Sequence, residues 1–212
     1  MKPVIAGLYV ISSPPASDSA ITDWLDRCEA AMQGGASLFQ YRDKHATDNQ
    51  RRARASALLE RCQAHKVPLI INDDVHLAAA VGAAGVHLGQ GDGSLAAARA
   101  LLGPEAIIGA SCYQHLERAE HAQSAGADYV AFGAAFSSPT KPDAPCAPRL
   151  LFVTARRRLN VPVVAIGGIH AGNASRLARL GVDAIAVISA VMAADDPRLA
   201  ARRLCQTFGV AS

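Results

Sequence analysis

The chain is poor in the features that mark several protein classes. Aromatic residues make up 5% of its 212 residues, too few for the stacking platforms on which single-stranded nucleic acid lies. The excess of positive charge is small, +3 from 21 Lys and Arg against 18 Asp and Glu. These cations are spread along the chain, which argues against a basic nucleic-acid face. No stretch approaches the roughly 18 uninterrupted apolar residues needed to cross a bilayer, and the start, MKPVIAGLYVISSPP, is too short in apolar residues for a secretory signal. A soluble, cytoplasmic protein is the expectation. Cysteines number five, at Cys28, Cys62, Cys112, Cys146 and Cys205, with no C-x-x-C pair to suggest zinc or a dithiol, so reduced and mostly buried thiols are expected. The turn after the first apolar run, VISSPPASDS, lacks a glycine-rich dinucleotide fingerprint, which disfavours a doubly wound open sheet.

Hydrophobic residues, by contrast, are half of the chain, 50%, enough for one sizeable core without a second domain. Short β-branched runs alternate with longer Ala-, Leu- and Arg-rich stretches, the pattern of parallel βα units. Strands are predicted over 7–12, 37–42, 68–72, 85–89, 107–111, 129–133, 161–167 and 184–189, each followed by a helix. The segments GGASLFQ, GAAGVHL, GADYVAF and GVDAIAV each place glycine at a helix end just before a strand. Eight such units predict a single-domain (β/α)8 TIM barrel over residues 1–212. Trp24, Leu25, Cys28, Ala31 and Met32 have helical spacing and read as core. The run Arg156 to Arg158 reads as a solvated helix face.

Function in such a barrel sits where the strands end. Strand two ends in QYRDK, and alternation aims Gln40, Arg42 and Lys44 at one face and Tyr41 and Asp43 at the other. An amide and two cations on one face suit an anionic ligand. Strand three ends in INDD, giving Asn72, Asp73 and Asp74, and strand four runs through GQGD to Asp92. Two carboxylates beside cations suit a hard divalent metal shared with phosphate oxygens. Asp74, nearer the helix start, is weighted toward helix capping and Asp73 toward the metal. Strand five presents Ser111, and strand six runs into FSSPTKPDAP, either a phosphate loop or an ordinary Ser/Pro turn. Strand seven ends in Gly167 and Gly168, a tight turn or a backbone cradle for phosphate, with Asn173 expected to cap the next helix. His87, inside strand four, reads as a packed, hydrogen-bonded barrel histidine, and Cys112 as buried packing.

The ordered set QYRDK, IINDD, GVHLGQGD, GAS, SPTKPDAP, VVAIGGI and AVISAV resembles the thiamine phosphate synthase family, from about Gly7 to Met192. The resemblance implies coupling of a hydroxymethylpyrimidine diphosphate to a hydroxyethylthiazole phosphate, giving thiamine phosphate and pyrophosphate. It implies that Gln40, Tyr41, Arg42, Asp43, Lys44, Asn72, Ser111 and Lys141 contact the pyrimidine diphosphate, with Arg42, Lys44 and Lys141 catalytic. Asp73 and Asp92 would hold Mg²⁺. The thiazole phosphate would meet Ser138, Pro139, Thr140, Gly168, Ile188 and Ser189. The partners are then two phosphorylated small molecules, with no nucleic acid and no membrane, and a homo-oligomer is compatible with the sequence.

Two rivals share the fold. A thiazole tautomerase would not need the full diphosphate and metal set, and a histidine is expected after its strand five, where this chain has Tyr113. A catalytically silent sensor of thiamine precursors would regulate a partner, yet no appended DNA-binding motif is visible. The synthase is the favoured reading.

Overall fold

The computed structural model describes residues 4–15, 17–137 and 145–209. Eight parallel strands close into a barrel in sequence order: β1 (Gly7–Ile11), β2 (Ala36–Tyr41), β3 (Leu69–Asn72), β4 (Gly85–Leu88), β5 (Ile107–Tyr113), β6 (Tyr129–Gly133), β7 (Val163–Ile166) and β8 (Ala184–Val187). Among the described residues the α-helices between and after them are α1 (Ile21–Gln33), α2 (Asp48–Ala64), α3 (Val75–Val81), α4 (Leu95–Leu102), α5 (Leu116–Ser124), α6 (Arg149–Arg158), α7 (Ala174–Ala178), α8 (Ser189–Met192) and α9 (Pro197–Phe208). The predicted strands all appear. One difference lies at the end of β8, where Ser189, expected in the strand, instead begins the extra short helix α8.

Burial explains why these segments are strands. Most residues on both faces of the strands are buried, so their sequences are near-continuous apolar runs rather than alternating ones. Inward residues, among them Tyr9, Leu38, Ile70, Ile107, Tyr129 and Val164, fill the barrel, while a second, larger cluster lies between barrel and helices. That outer layer contains Trp24, Cys28, Ala31 and Met32, with Leu25 packed against it, as the helical spacing predicts. Cys28, Cys62, Cys112 and Cys205 are buried and Cys146 is exposed, all as free thiols.

Helix ends are written locally. Thr47 and Gln50 form a capping box at the start of α2, and Asp196 caps α9 ahead of Pro197; such caps each contribute about 1 kcal/mol. Gly82 closes α3 in the left-handed conformation, φ 71°, which a side chain with a Cβ adopts at a cost. The basic run on α6 is partly tied down: Arg156 pairs with Asp183 at 3.1 Å and Arg158 with Glu120 at 2.6 Å. Among the described residues no helix is long and apolar enough to cross a membrane.

Candidate functional site

The barrel brings the end of β2 beside those of β3 and β4. β2 stops at Tyr41, so Arg42, Asp43 and Lys44 leave the ladder, held by a hydrogen bond from the Arg42 backbone N–H to Ser12 Oγ at 3.0 Å. Alternation nonetheless persists. Gln40 points into the barrel, where its Nε2 donates to Tyr9 Oη at 2.5 Å. Lys44 reaches the carboxylate of Asp73 at 3.3 Å.

Tyr41 and Asp43 turn the other way, into the helix layer. The Tyr41 ring packs edge-on against Trp24, with centroids 6.2 Å apart. Asp43 accepts from Arg54 of α2 at 2.6 Å and from the backbone N–H groups of His45 and Ala46 at 3.1 and 3.2 Å. Arg54 also donates to Asp18 at 2.6 Å. The acid in the middle of QYRDK therefore fastens the turn that carries its two cations. Sequence spacing gave no sign of Arg54, because its contact with Asp43 depends on how α2 folds back over β2.

Of the two aspartates that follow β3, the one expected to cap the next helix does so. Asp74 is the N-cap of α3, accepting from the Leu77 N–H at 2.8 Å, and the helix begins at Val75 rather than His76. Asp73 instead occupies the left-handed region, φ 65°, with its N–H donated to His87 O at 2.9 Å. Its carboxyl lies against that of Asp92, which is held by the Gly89 N–H at 2.7 Å. Burial and the neighbouring Asp92 raise the Asp73 carboxyl above the ordinary carboxylate range, with Lys44 opposing. Carboxylates pressed together are relieved by a proton or by a cation between them. Among the described residues no group of three or more His, Cys, Asp or Glu gathers, so a cation here would take two protein carboxylates, a donor set that suits Mg²⁺ with its remaining ligands from water and phosphate.

Lys44, Asn72 and Asp73 line a cavity of about 220 Å³ together with Tyr41 and Asp43, which border it while packing into the helix layer, and, from α2, Arg51. Arg51, which pairs with Asp48 and lies 3.6 Å from Asp74, is a cation at this rim that the strand-end motifs did not include. A larger cleft of about 330 Å³ lies outside β4 and β5, against α5; it contains Cys112 and reaches Ser111 but none of the strand-end carboxylates.

Across the mouth, the turn after β7 contains Gly167 and Gly168, both with positive φ. A Cβ on Gly168 would collide with the carbonyl oxygens of Phe136 and Ser137, so the turn and the loop after β6 pack backbone on backbone. Asn173 stands at the N-cap position of α7 but makes no side-chain cap bond. Its Nδ2 donates to Gly168 O at 2.9 Å and its Oδ1 accepts from the His170 N–H at 2.9 Å. The expected helix cap is thus a brace for the glycine turn. Ile188 precedes α8 and packs against the barrel-interior cluster, with Ser189 at the helix start. Ser138, Pro139, Thr140 and Lys141 lie outside the described residues.

His87 is the hydrogen-bonded barrel histidine the sequence suggested, and one of its partners is Ser111, through Nε2 to Oγ at 2.8 Å. Burial pushes its imidazole down to about 4 from 6.5. The unfolded chain therefore binds this proton more readily than the fold does, so the stabilisation is complete above pH 6.5 and lost as pH falls toward 4. The full loss is about 3 kcal/mol. Urea midpoints measured from pH 7.5 to 4.5 should fall more steeply for the wild type than for His87→Gln; equal slopes would contradict the assignment.

These features define a class: a (β/α)8 barrel enzyme with opposed charges grouped at the C-terminal ends of β2 to β4 and a glycine turn after β7. Comparison with known proteins narrows it. The sequence model of one family, thiamine monophosphate synthase, matches residues 8–191. The chain is 52% identical over 206 residues to the thiamine-phosphate synthase of Thioalkalivibrio sulfidiphilus, covering 97% of each. It is 53% identical over 193 residues to that of an Azoarcus species, covering 91% of this chain and 92% of the relative. Among solved structures, thiamine phosphate pyrophosphorylase from Pyrococcus furiosus matches with a TM-score of 0.84 and 35% identity over 96% of both chains. The chain belongs to the thiamine monophosphate synthase family.

Proposed function

We propose that the chain joins a hydroxymethylpyrimidine diphosphate to hydroxyethylthiazole phosphate by a dissociative substitution. The bond between the pyrimidine methylene carbon and the diphosphate oxygen breaks, its electron pair leaving with pyrophosphate. The aminopyrimidine ring stabilises the resulting cation, and the thiazole nitrogen lone pair forms the new C–N bond. The observation that carries this reading is the contact of Lys44 with Asp73, and of Asp73 with Asp92, where a diphosphate and a divalent cation would share one strand-end cluster.

In this reading Arg42, Lys44 and Lys141 neutralise the leaving group, while Gln40, Asn72 and Ser111 hold the pyrimidine diphosphate. Tyr41 and Asp43, with side chains directed outward, contribute by shaping the turn. Mg²⁺ bound by Asp73 and Asp92 would supply further neutralisation of the diphosphate oxygens. Ser138, Pro139, Thr140, the backbone of Gly168, Ile188 and Ser189 receive the thiazole phosphate. No protein nucleophile or strong base is required, and catalysis consists of positioning and charge stabilisation.

Incubation with both substrates and Mg²⁺ should yield pyrophosphate and thiamine phosphate, with turnover lost on chelation. Binding of both substrates without turnover would favour a sensor, and conversion of the thiazole phosphate alone a tautomerase. Gly168→Ala tests the second phosphate site: the collision with Phe136 and Ser137 should raise the thiazole phosphate KM about tenfold or more, for 1 to 3 kcal/mol of strain, and leave the pyrimidine diphosphate KM near its original value. An effect confined to the pyrimidine substrate would reverse the assignment.

A further inference from the structure

A continuous hydrogen-bond chain crosses the barrel interior between two residues read above as substrate contacts. Gln40 Nε2 on β2 donates to Tyr9 Oη on β1 at 2.5 Å. Tyr9 and Tyr129 Oη, the latter on β6, are 2.9 Å apart. Tyr129 Oη lies 2.9 Å from His87 Nδ1 on β4, and His87 Nε2 lies 2.8 Å from Ser111 Oγ on β5. Tyr9, Tyr129 and His87 are 2%, 0% and 8% exposed, so the relay is shielded from bulk solvent. Packing fixes the arrangement too: the Tyr9 and Tyr129 rings meet edge to face at 5.9 Å, and the His87 ring stacks on Tyr129 at 5.5 Å. A methyl group at Gly109 would overlap the phenol end of Tyr129, so the chain's central ring occupies space that a glycine leaves for it.

Proton counting gives this chain a direction. Each phenol has one proton, and the neutral imidazole has one. With the Gln40 amide donating to Tyr9, the Tyr9 proton has only Tyr129 to go to. The Tyr129 proton then goes to His87 Nδ1. The imidazole proton must therefore sit on Nε2 and be donated to Ser111, which leaves the Ser111 hydroxyl proton for a ligand. Any break in the sequence strands a buried donor or pairs two acceptors, at a cost larger than a typical net hydrogen bond. Reversing it requires the Gln40 amide to turn over and every link to invert together.

We propose that Tyr9, Tyr129 and His87 are positioning residues that lock Gln40 and Ser111 into one shared hydrogen-bonding polarity, with Ser111 as a donor at the mouth and the Gln40 carbonyl oxygen left to accept. This rests on the reading of Gln40 and Ser111 as contacts of the pyrimidine diphosphate. A substrate that offers a donor to Gln40 and an acceptor to Ser111 fits; one with those groups exchanged would have to invert five side chains at once. The relay is thus a selectivity device built out of reach of the substrate itself.

Two measurements test it. In the full-length protein with ¹⁵N-labelled histidine, His87 should be the neutral Nε2–H tautomer, and Tyr129→Phe, which removes the acceptor's donor while keeping the ring, should shift it toward a mixture. Finding Nδ1–H in the wild type would overturn the proposal whatever the protein's activity. Kinetically, Gln40→Met and Ser111→Ala, alone and combined, should show coupled losses in kcat/KM for the pyrimidine diphosphate, with non-additivity of about tenfold. That coupling should fall to near unity in the Tyr129→Phe background and, as a second route, in Tyr9→Phe, while the thiazole phosphate KM stays unchanged. Coupling that survives both hydroxyl deletions would mean the two ends communicate through the ligand and would also overturn the relay. Absence of any wild-type turnover would count against the functional reading alone, because the tautomer measurement stands without it.

Discussion

Asp92→Asn is expected to lower Mg²⁺-dependent turnover by about 10²- to 10³-fold, on the scale of removing one preorganised electrostatic partner of a developing charge. Asparagine keeps an oxygen for the Gly89 N–H that now donates to Asp92 at 2.7 Å, so the turn after β4 should survive. What disappears is one of the two carboxylates whose proximity raises Asp73. Turnover as a function of Mg²⁺ concentration should show the loss, partly recovered at high metal, whereas binding of the thiazole phosphate alone should be unaltered. Equal losses in both would contradict the division of the mouth into a metal-assisted side and a metal-free side.

The second large effect is expected at the ion pair behind the turn after β2. Arg54→Ala removes the cation facing Asp43, whose side chain is 1% exposed. Breaking a buried ion pair from one side leaves an uncompensated charge, which costs about 3 to 5 kcal/mol. Chemical denaturation should register that loss. Activity should fall as well in the protein that remains folded, because Asp43 also accepts from the His45 and Ala46 backbone N–H groups and so shapes the turn that carries Arg42 and Lys44. A charge-neutral pair, Arg54→Met with Asp43→Asn, should recover stability more than activity. If the double variant recovered activity fully, Asp43 would be serving the fold and not the aim of the two cations.

The barrel was legible because buried parallel strands are written as unbroken apolar runs, and helix caps and glycine stops punctuate them. IINDD shows how far local chemistry reaches: Asp74 caps and Asp73 does not, as the distance of each from the helix start suggests. The outward turn of Tyr41 and Asp43 followed from alternation, but their partners did not. Arg54 is eleven positions beyond Asp43, on a helix whose rotation about its axis is set by packing that no local motif encodes. The role of Asn173 is hidden from its local sequence for a related reason. Its position before α7 suits a cap, yet the His170 N–H takes the side-chain oxygen that a cap would use, while the amide is held by the Gly168 carbonyl. The Tyr9–Tyr129–His87 chain was the least visible feature, because its members lie on β1, β6 and β4 and meet only after the barrel closes.

The backbone at Asp73 also constrains which acids the position will accept. A left-handed φ of 65° is tolerated by Asp and Asn, whose short side chains hydrogen-bond locally, and resisted by longer ones. Glutamate would preserve the charge while adding both a methylene of reach and a conformational penalty at the same residue. Asparagine would preserve the conformation and lose the charge. The main-chain path thus narrows the residue types this position accepts to the short acid and its amide, so that changing the reach at this corner would have to begin with the loop's path and not with its side chain.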